Sequence, residues 1–228
     1  MMMEMSKKIL NFHLFLFSFL FLCNIYGQDD ARSQKIIDDM AARFKTYSTV
    51  SVSFSLTVTQ LQNQQETGQE GKIWLKSNKY KLEVPEYVIY FDGSKIYQYL
   101  PDVKEVNITK PDPDDDSEDF QLSNPQSFFN LSSKNFKSKL IKEGSQNNRK
   151  VYEIDLYPIH IKTSGYSRIK VMIEKSTLQL VYLRAVMTDG TYTLSFKPYE
   201  IHQTALHDSF FTFNLLLHPD VEVNDLTF

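Results

Sequence analysis

The chain has almost no cysteine. Cys23 is the only one in 228 residues, and it lies in an apolar stretch near the start, so a disulfide framework is excluded. The sequence motifs of catalysis are also missing: there is no G-x-S-x-G elbow, no P-loop, no G-x-G-x-x-G and no H-E-x-x-H. His160, His202, His207 and His218 do not pair at metal-ligand spacing on one helix face, and read as surface or strand residues. An excess of positive charge is absent as well. Setting aside Lys7, Lys8 and Glu4 in the leader leaves 23 of the 25 basic and 27 of the 28 acidic residues, a mildly acidic balance that argues against a nucleic-acid footprint.

The one long hydrophobic run is short for a membrane span, which needs about 20 apolar residues. Lys7 and Lys8 precede Ile9 to Cys23, and Ile25-Tyr26-Gly27 offers a small residue before Gln28. That order of basic, apolar and small residues is a secretory signal, expected to be removed near Gly27. Leu20-Phe21-Leu22 lacks the small residue that normally precedes an acylated cysteine, so lipidation at Cys23 is a minor alternative. Export without a disulfide fits a bacterial envelope protein. The expected mature part, residues 28–228, is long enough for one domain with a substantial core.

What the chain does have is one-faced sheet. Val50, Val52, Phe54, Leu56 and Val58 alternate with Ser51, Ser53, Ser55, Thr57 and Thr59, the period of a half-buried strand. A helix is predicted over Ala31–Tyr47, with Ile37, Met40, Phe44 and Tyr47 on one stripe. Strands are predicted at Thr49–Leu61, Gly71–Lys76, Lys79–Val84, Val88–Phe91, Lys95–Leu100 and Val103–Thr109, joined at Ser77-Asn78, Pro85-Glu86, Asp92-Gly93 and Pro101-Asp102. Asn63 to Gln69 reads as a polar loop.

Asn124-Pro125 then opens a short helix through Phe128, Phe129 and Leu131. A second run of strands follows at Phe136–Lys142, Lys150–Leu156, Ser167–Glu174, Gln179–Met187 and Thr191–Ile201, with a weaker candidate at Phe211–Phe213. His218 to Phe228 reads as a surface tail. Segregated strands and helices argue for an α+β fold or a partly open barrel, with too little helix to cover the sheet. A large apolar concave face left over in this way suits a greasy ligand.

Other features carry less. Asp112, Asp114 and Asp116 echo a calcium loop, but Ser117 and Ser123 stand where glycine and glutamate belong, so an exposed acidic loop over Asp112–Asp119 is expected. Glu153 and Asp155 share a strand face and read as exposed edge charges, not as a glycosidase pair. Aromatics make up 14% of the chain. Tyr80, Tyr90, Tyr97 and Tyr99 suit sheet packing, or a sugar platform if exposed. Phe128, Phe129 and Leu131 are open to two readings, a plug in the core or the movable lining of a ligand site.

Three stretches together resemble the periplasmic carriers of outer-membrane lipoproteins, the LolA-type proteins. They are Gly71-Lys72-Ile73-Trp74-Leu75-Lys76, then Asp92-Gly93-Ser94-Lys95-Ile96-Tyr97-Gln98-Tyr99-Leu100-Pro101-Asp102-Val103, and the ending with Phe211, Phe213, Pro219, Val221, Val223 and Asp225. The resemblance implies an incomplete, half-open antiparallel β-barrel, with helices covering its concave apolar face. It implies no catalysis and no cofactor, and an acyl-chain site in which Tyr80, Leu82 and Val84 line the cavity under a lid of Phe128, Phe129 and Leu131. Phe54, Leu56 and Leu75 complete the expected set. The partners it implies are acylated lipoproteins, an inner-membrane ABC-type extractor and an outer-membrane acceptor, with the carrier a monomer. Ser77 stands where those carriers place a latching arginine, which leaves an Asn- or Tyr-based closure. Related half-barrels bind another lipid or glycolipid, sense envelope stress, or accept lipoproteins at the outer membrane, and fold alone does not choose among them. An envelope hydrolase would instead need polar titratable groups converging in a cleft.

Overall fold

The computed structural model describes residues 30–111, 124–129, 131, 135–160, 164–187 and 190–227. The expected signal sequence and the expected acidic loop over Asp112–Asp119 lie outside them. Helix α1 covers residues 30–44, ending three residues before the predicted boundary. Ser33 near its start is fully buried and bonds Ser138 Oγ at 2.8 Å, while Ile36, Ile37 and Met40 enter the core.

The first half of the sheet is a meander of β1 (Val50–Gln60), β2 (Glu66–Lys76), β3 (Lys79–Glu83), β4 (Val88–Phe91), β5 (Ile96–Leu100) and β6 (Glu105–Thr109). The second half is β7 (Phe136–Gln146), β8 (Arg149–Pro158), β9 (Tyr166–Glu174), β10 (Leu180–Met187), β11 (Gly190–Phe196) and the short β12 (Glu200–Ile201). Strand β13 (Glu222–Asp225) completes it. All belong to one sheet in the order β13-β6-β5-β4-β3-β2-β1-β11-β10-β9-β8-β7, with β12 beside β1. Every pairing is antiparallel except β13 on β6. Strands β7 and β13 end the sheet, and no ladder joins them among the described residues. This is the unclosed barrel with a covering helix that the resemblance implied.

Three expectations need correction. Glu66–Gln69 are not loop: they pair with Leu56–Thr59 and lengthen β2, because β1 offers an edge even to polar partners. Phe211–Phe213 form no strand. Phe211 ends a one-turn 3-10 helix, Asp208–Phe211, whose cap is His207, its ring nitrogen accepting from Ser209 N. Residues 222–225 of the tail add the parallel edge strand instead of merely lying on the surface.

The sheet buries different faces in different places. Ladder partners share a face, so Leu75↔Tyr80, Ile73↔Leu82, Leu82↔Ile89 and Tyr80↔Phe91 carry the concave apolar side across to β4. Beyond it the concave side turns polar with Gln98, Asn107 and Thr109. There the convex side becomes apolar instead, through Tyr90↔Tyr97↔Ile108 and Val88↔Tyr99↔Val106. Two clusters result. The large one takes in the concave face and α1, and the small one centres on Val106, Ile108 and Phe213 on the opposite side.

Candidate functional site

All nine residues expected to bind acyl chains lie in the large cluster, and none is more than 7% exposed. Strand β1 places Phe54 and Leu56 on its inner face, opposite Gly71 and Gln69 of β2. A Cβ at Gly71 would come within 2.6 Å of both the Phe54 ring and the Glu83 carbonyl oxygen, so only glycine lets that ring lie on the strand. Leu75, Tyr80, Leu82 and Val84 continue the face, and burial pushes the Tyr80 phenol well above its ordinary value.

The cover is aromatic. Pro125 starts a single 3-10 turn, Pro125–Phe128, shorter than the predicted helix, and the chain then inserts Phe129 and Leu131. The Phe129 ring stacks on Phe44 of α1, with centroids 4.9 Å apart, and meets Phe196 at 5.4 Å and Tyr199 at 5.7 Å. Gln126 tethers this segment: its Nε2 donates to the Ser77 carbonyl at 3.1 Å and to that of Lys79 at 3.4 Å. Ser77 holds φ at 51°, in the tight β2–β3 turn. A glutamine amide is thus one closing contact of this segment.

The buried carboxylates among the described residues, Glu153 and Asp155, belong to the convex side of β8, facing Met172 and Lys170 across the ladder. They are not exposed edge charges, because β7 and β9 flank β8 and the long lysines of neighbouring strands lie over them. Lys170 and Lys142 reach Glu153, and Arg168 Nη1 lies 3.4 Å from Asp155. Burial opposes the charge on Glu153, yet hydrogen bonding and attraction from Lys170 and Lys142 keep its carboxyl below the usual range. Among the described residues no three His, Cys, Asp or Glu gather as a metal site.

Sequence reasoning missed the convex cover. Lys76 Nζ and Lys79 Nζ bond Asp208 at 2.7 and 2.8 Å, and Lys76 also donates to the Leu206 carbonyl. Lys81 pairs with Glu83 and sits over three rings, with its Nζ 4.8 Å from the centroid of Phe210, 5.1 Å from Tyr90 and 5.5 Å from Trp74. Lys79 and Lys81 share a face of β3 with Lys76 of β2 as the ladder partner of Lys79, but the acid and the ring that they meet are about 130 residues away. Phe213 then stacks on His218 at 4.7 Å and packs on Tyr99 at 5.0 Å.

Fold and site together define a half-open antiparallel barrel whose apolar hollow side is closed by one helix and one short tethered segment. No protein-family model matches the sequence, and no curated protein matches it. Solved structures do match. An uncharacterized conserved protein from Thermus thermophilus is similar with a TM-score of 0.56 at 8% identity, over 85% of this chain and 99% of that one. The lipoprotein LppX of Mycobacterium tuberculosis gives 0.49 at 11%, over 78% and 100%. A putative outer membrane lipoprotein-sorting protein domain from Vibrio parahaemolyticus gives 0.45 at 12%, over 80% and 97%. At these identities the likeness is one of fold.

Proposed function

We propose that this protein is a periplasmic carrier of acyl chains. In this reading residues 1–27 are removed on export, and residues 28–228 act as one lipoprotein-carrier domain. It takes acylated lipoproteins from an inner-membrane ABC-type extractor to an acceptor at the outer membrane, without catalysing a reaction. The observation that carries the reading is that four separate stretches of chain bring nine apolar side chains into one continuous cluster, under a segment to which Gln126 supplies a tether.

Magnitudes favour an exchangeable plug. Burying Phe128, Phe129 and Leu131 is worth about 1.5–3 kcal/mol each, while an acyl chain of common length gains on the order of 10 kcal/mol on leaving water. A chain that displaces the three therefore gains a few kcal/mol net, enough to be held and little enough to be released. The lid residues act as a stand-in for cargo, keeping the concave face dry between loads.

Purification from the envelope followed by extraction tests this directly. Acylated protein is expected to co-purify, and Phe129→Asp is expected to abolish transfer of a triacylated lipoprotein from membranes. Recovery of only a free lipid or glycolipid would redirect the reading to a lipid binder. No lipid at all, with transfer untouched by the substitution, would end it.

A further inference from the structure

Beyond the concave face, the convex cover ends in a feature that the carrier reading leaves unused. Leu215–Leu217 form a one-turn 3-10 helix at the surface, and they are 45%, 90% and 73% exposed. Three neighbouring leucines left in water are a strong anomaly, because contiguous apolar surface marks a site of contact with a partner or a membrane. An open pocket of about 710 Å³ lies beside them, with Tyr90, Phe210 and Phe213 in its wall. None of the residues lining it is Asp, Glu, Lys or Arg, and neither is any residue from Ser209 to His218.

We propose that this turn docks the protein on a lipid bilayer, with the leucines entering the boundary between head groups and acyl chains of uncharged phospholipid. Three observations favour a bilayer over a protein partner. The patch is a knob: Leu216 stands almost free, so a folded partner would need a matching hole, whereas a fluid surface needs none. Three successive amides at the turn are already satisfied, with Leu216 N bonded to Asn214 Oδ1 at 3.0 Å, Leu217 N to Asn214 O at 3.1 Å and His218 N to Leu215 O at 3.0 Å. Entry into a water-poor layer therefore strands no N–H of these three. Around the knob stand aromatic and uncharged polar groups, Tyr90, Phe210, Asn214 and His218, the kind of side chain that settles at head-group depth without the cost of burying a charge. The adjacent Lys76, Lys79 and Lys81 are spent on Asp208, Glu83 and the rings, so attraction to anionic lipid is not the driving term.

The inference stands apart from the acyl-chain site, since it needs neither cargo nor an open lid. The test uses the whole protein as isolated from cells, mixed with phosphatidylcholine vesicles. Replacing all three leucines by serine (L215S/L216S/L217S) is expected to weaken vesicle partitioning by at least about tenfold, since partitioning scales with the apolar surface inserted. Thermal unfolding should be unchanged, because the side chains are already exposed. In a Leu216→Trp variant, fluorescence is expected to shift to the blue on adding vesicles and to be quenched by lipids brominated in the acyl chain. Trp74, the only native tryptophan, supplies the baseline. Equal partitioning of the serine variant, or an unquenched Leu216→Trp signal, overturns the proposal. So does self-association of the wild type that the serine variant abolishes, since the leucines would then bury against a second copy.

Discussion

On the concave side, the cover comes from two pieces of chain far apart in sequence, α1 and residues 124–131, and it meets the sheet almost wholly through rings and aliphatic groups. On the convex side, one stretch over residues 206–221 closes a much smaller cluster and is fastened by charge at Lys76, Lys79 and Lys81. The large interior is thus shut mainly by apolar contacts that an alkyl chain can replace, with Ser33 and Gln126 as polar fastenings at its margins. The small one is fastened by partners that no apolar ligand can imitate. One sheet carries both a replaceable closure and a fixed one, and the difference lies in the chemistry of the fastening, not in the amount of surface hidden.

Three perturbations probe that contrast, in order of decreasing effect. Ile73, fully buried in the large cluster, should cost about 2–5 kcal/mol when cut to alanine, whereas Ile108→Ala in the small cluster should fall near the low end of that range. Urea unfolding of the two variants measures the gap, and equal losses would mean that the clusters are equally consequential. Next, Gln126→Ala removes the tether, a loss of about 0.5–1.5 kcal/mol that should appear locally. Amide exchange is expected to quicken in residues 124–131 while the unfolding midpoint barely moves. Uniform acceleration across the sheet would show that the segment does not open on its own.

The smallest effect is that of pH on the convex fastening. Hydrogen bonds from Lys76 and then Lys79 hold the Asp208 carboxyl at about 2, below its ordinary 3.8. A carboxylate whose folded value is lowered adds stability above its unfolded value and loses it as the pH falls through the folded one. Asp208 therefore contributes fully above about pH 5, and its contribution fades between about pH 4 and pH 2. In Asp208→Asn that part of the acid dependence should vanish, read as a flatter unfolding midpoint between pH 5 and pH 2.

Much of this architecture was legible. The Val50–Thr59 alternation gave β1, and turn chemistry at Asp92-Gly93 and Ser77-Asn78 bounded the hairpins closely, with Val88–Phe91 correct to the residue. Period alone cannot say which side of the sheet an alternation faces. Tyr80, Tyr97 and Tyr99 all suited sheet packing, yet Tyr97 and Tyr99 lie on the face opposite Tyr80, because the ladder puts Gln98 across from Ile89. Glu153 and Asp155 looked like surface charge because no local pattern reveals that β8 is flanked on both sides by strands bearing long lysines. For the site, the inward side of Phe54 and Leu56 followed from the Val50–Thr59 alternation, whereas Phe128, Phe129 and Leu131 were open to two readings and only the resemblance placed them over the sheet. The tether followed from neither: it needs a positive φ at Ser77 and a glutamine arriving from 49 positions away.

Strand β4 is four residues long, and its neighbours Ile89 and Tyr90 belong to different clusters. It works as a short lever with one arm in each compartment. On the hollow side Ile89 packs into the large cluster, while the next ring, Tyr90, lies 5.9 Å from Phe213, in the segment that ends in the leucine knob. A change in β4 would thus be felt in both compartments at once.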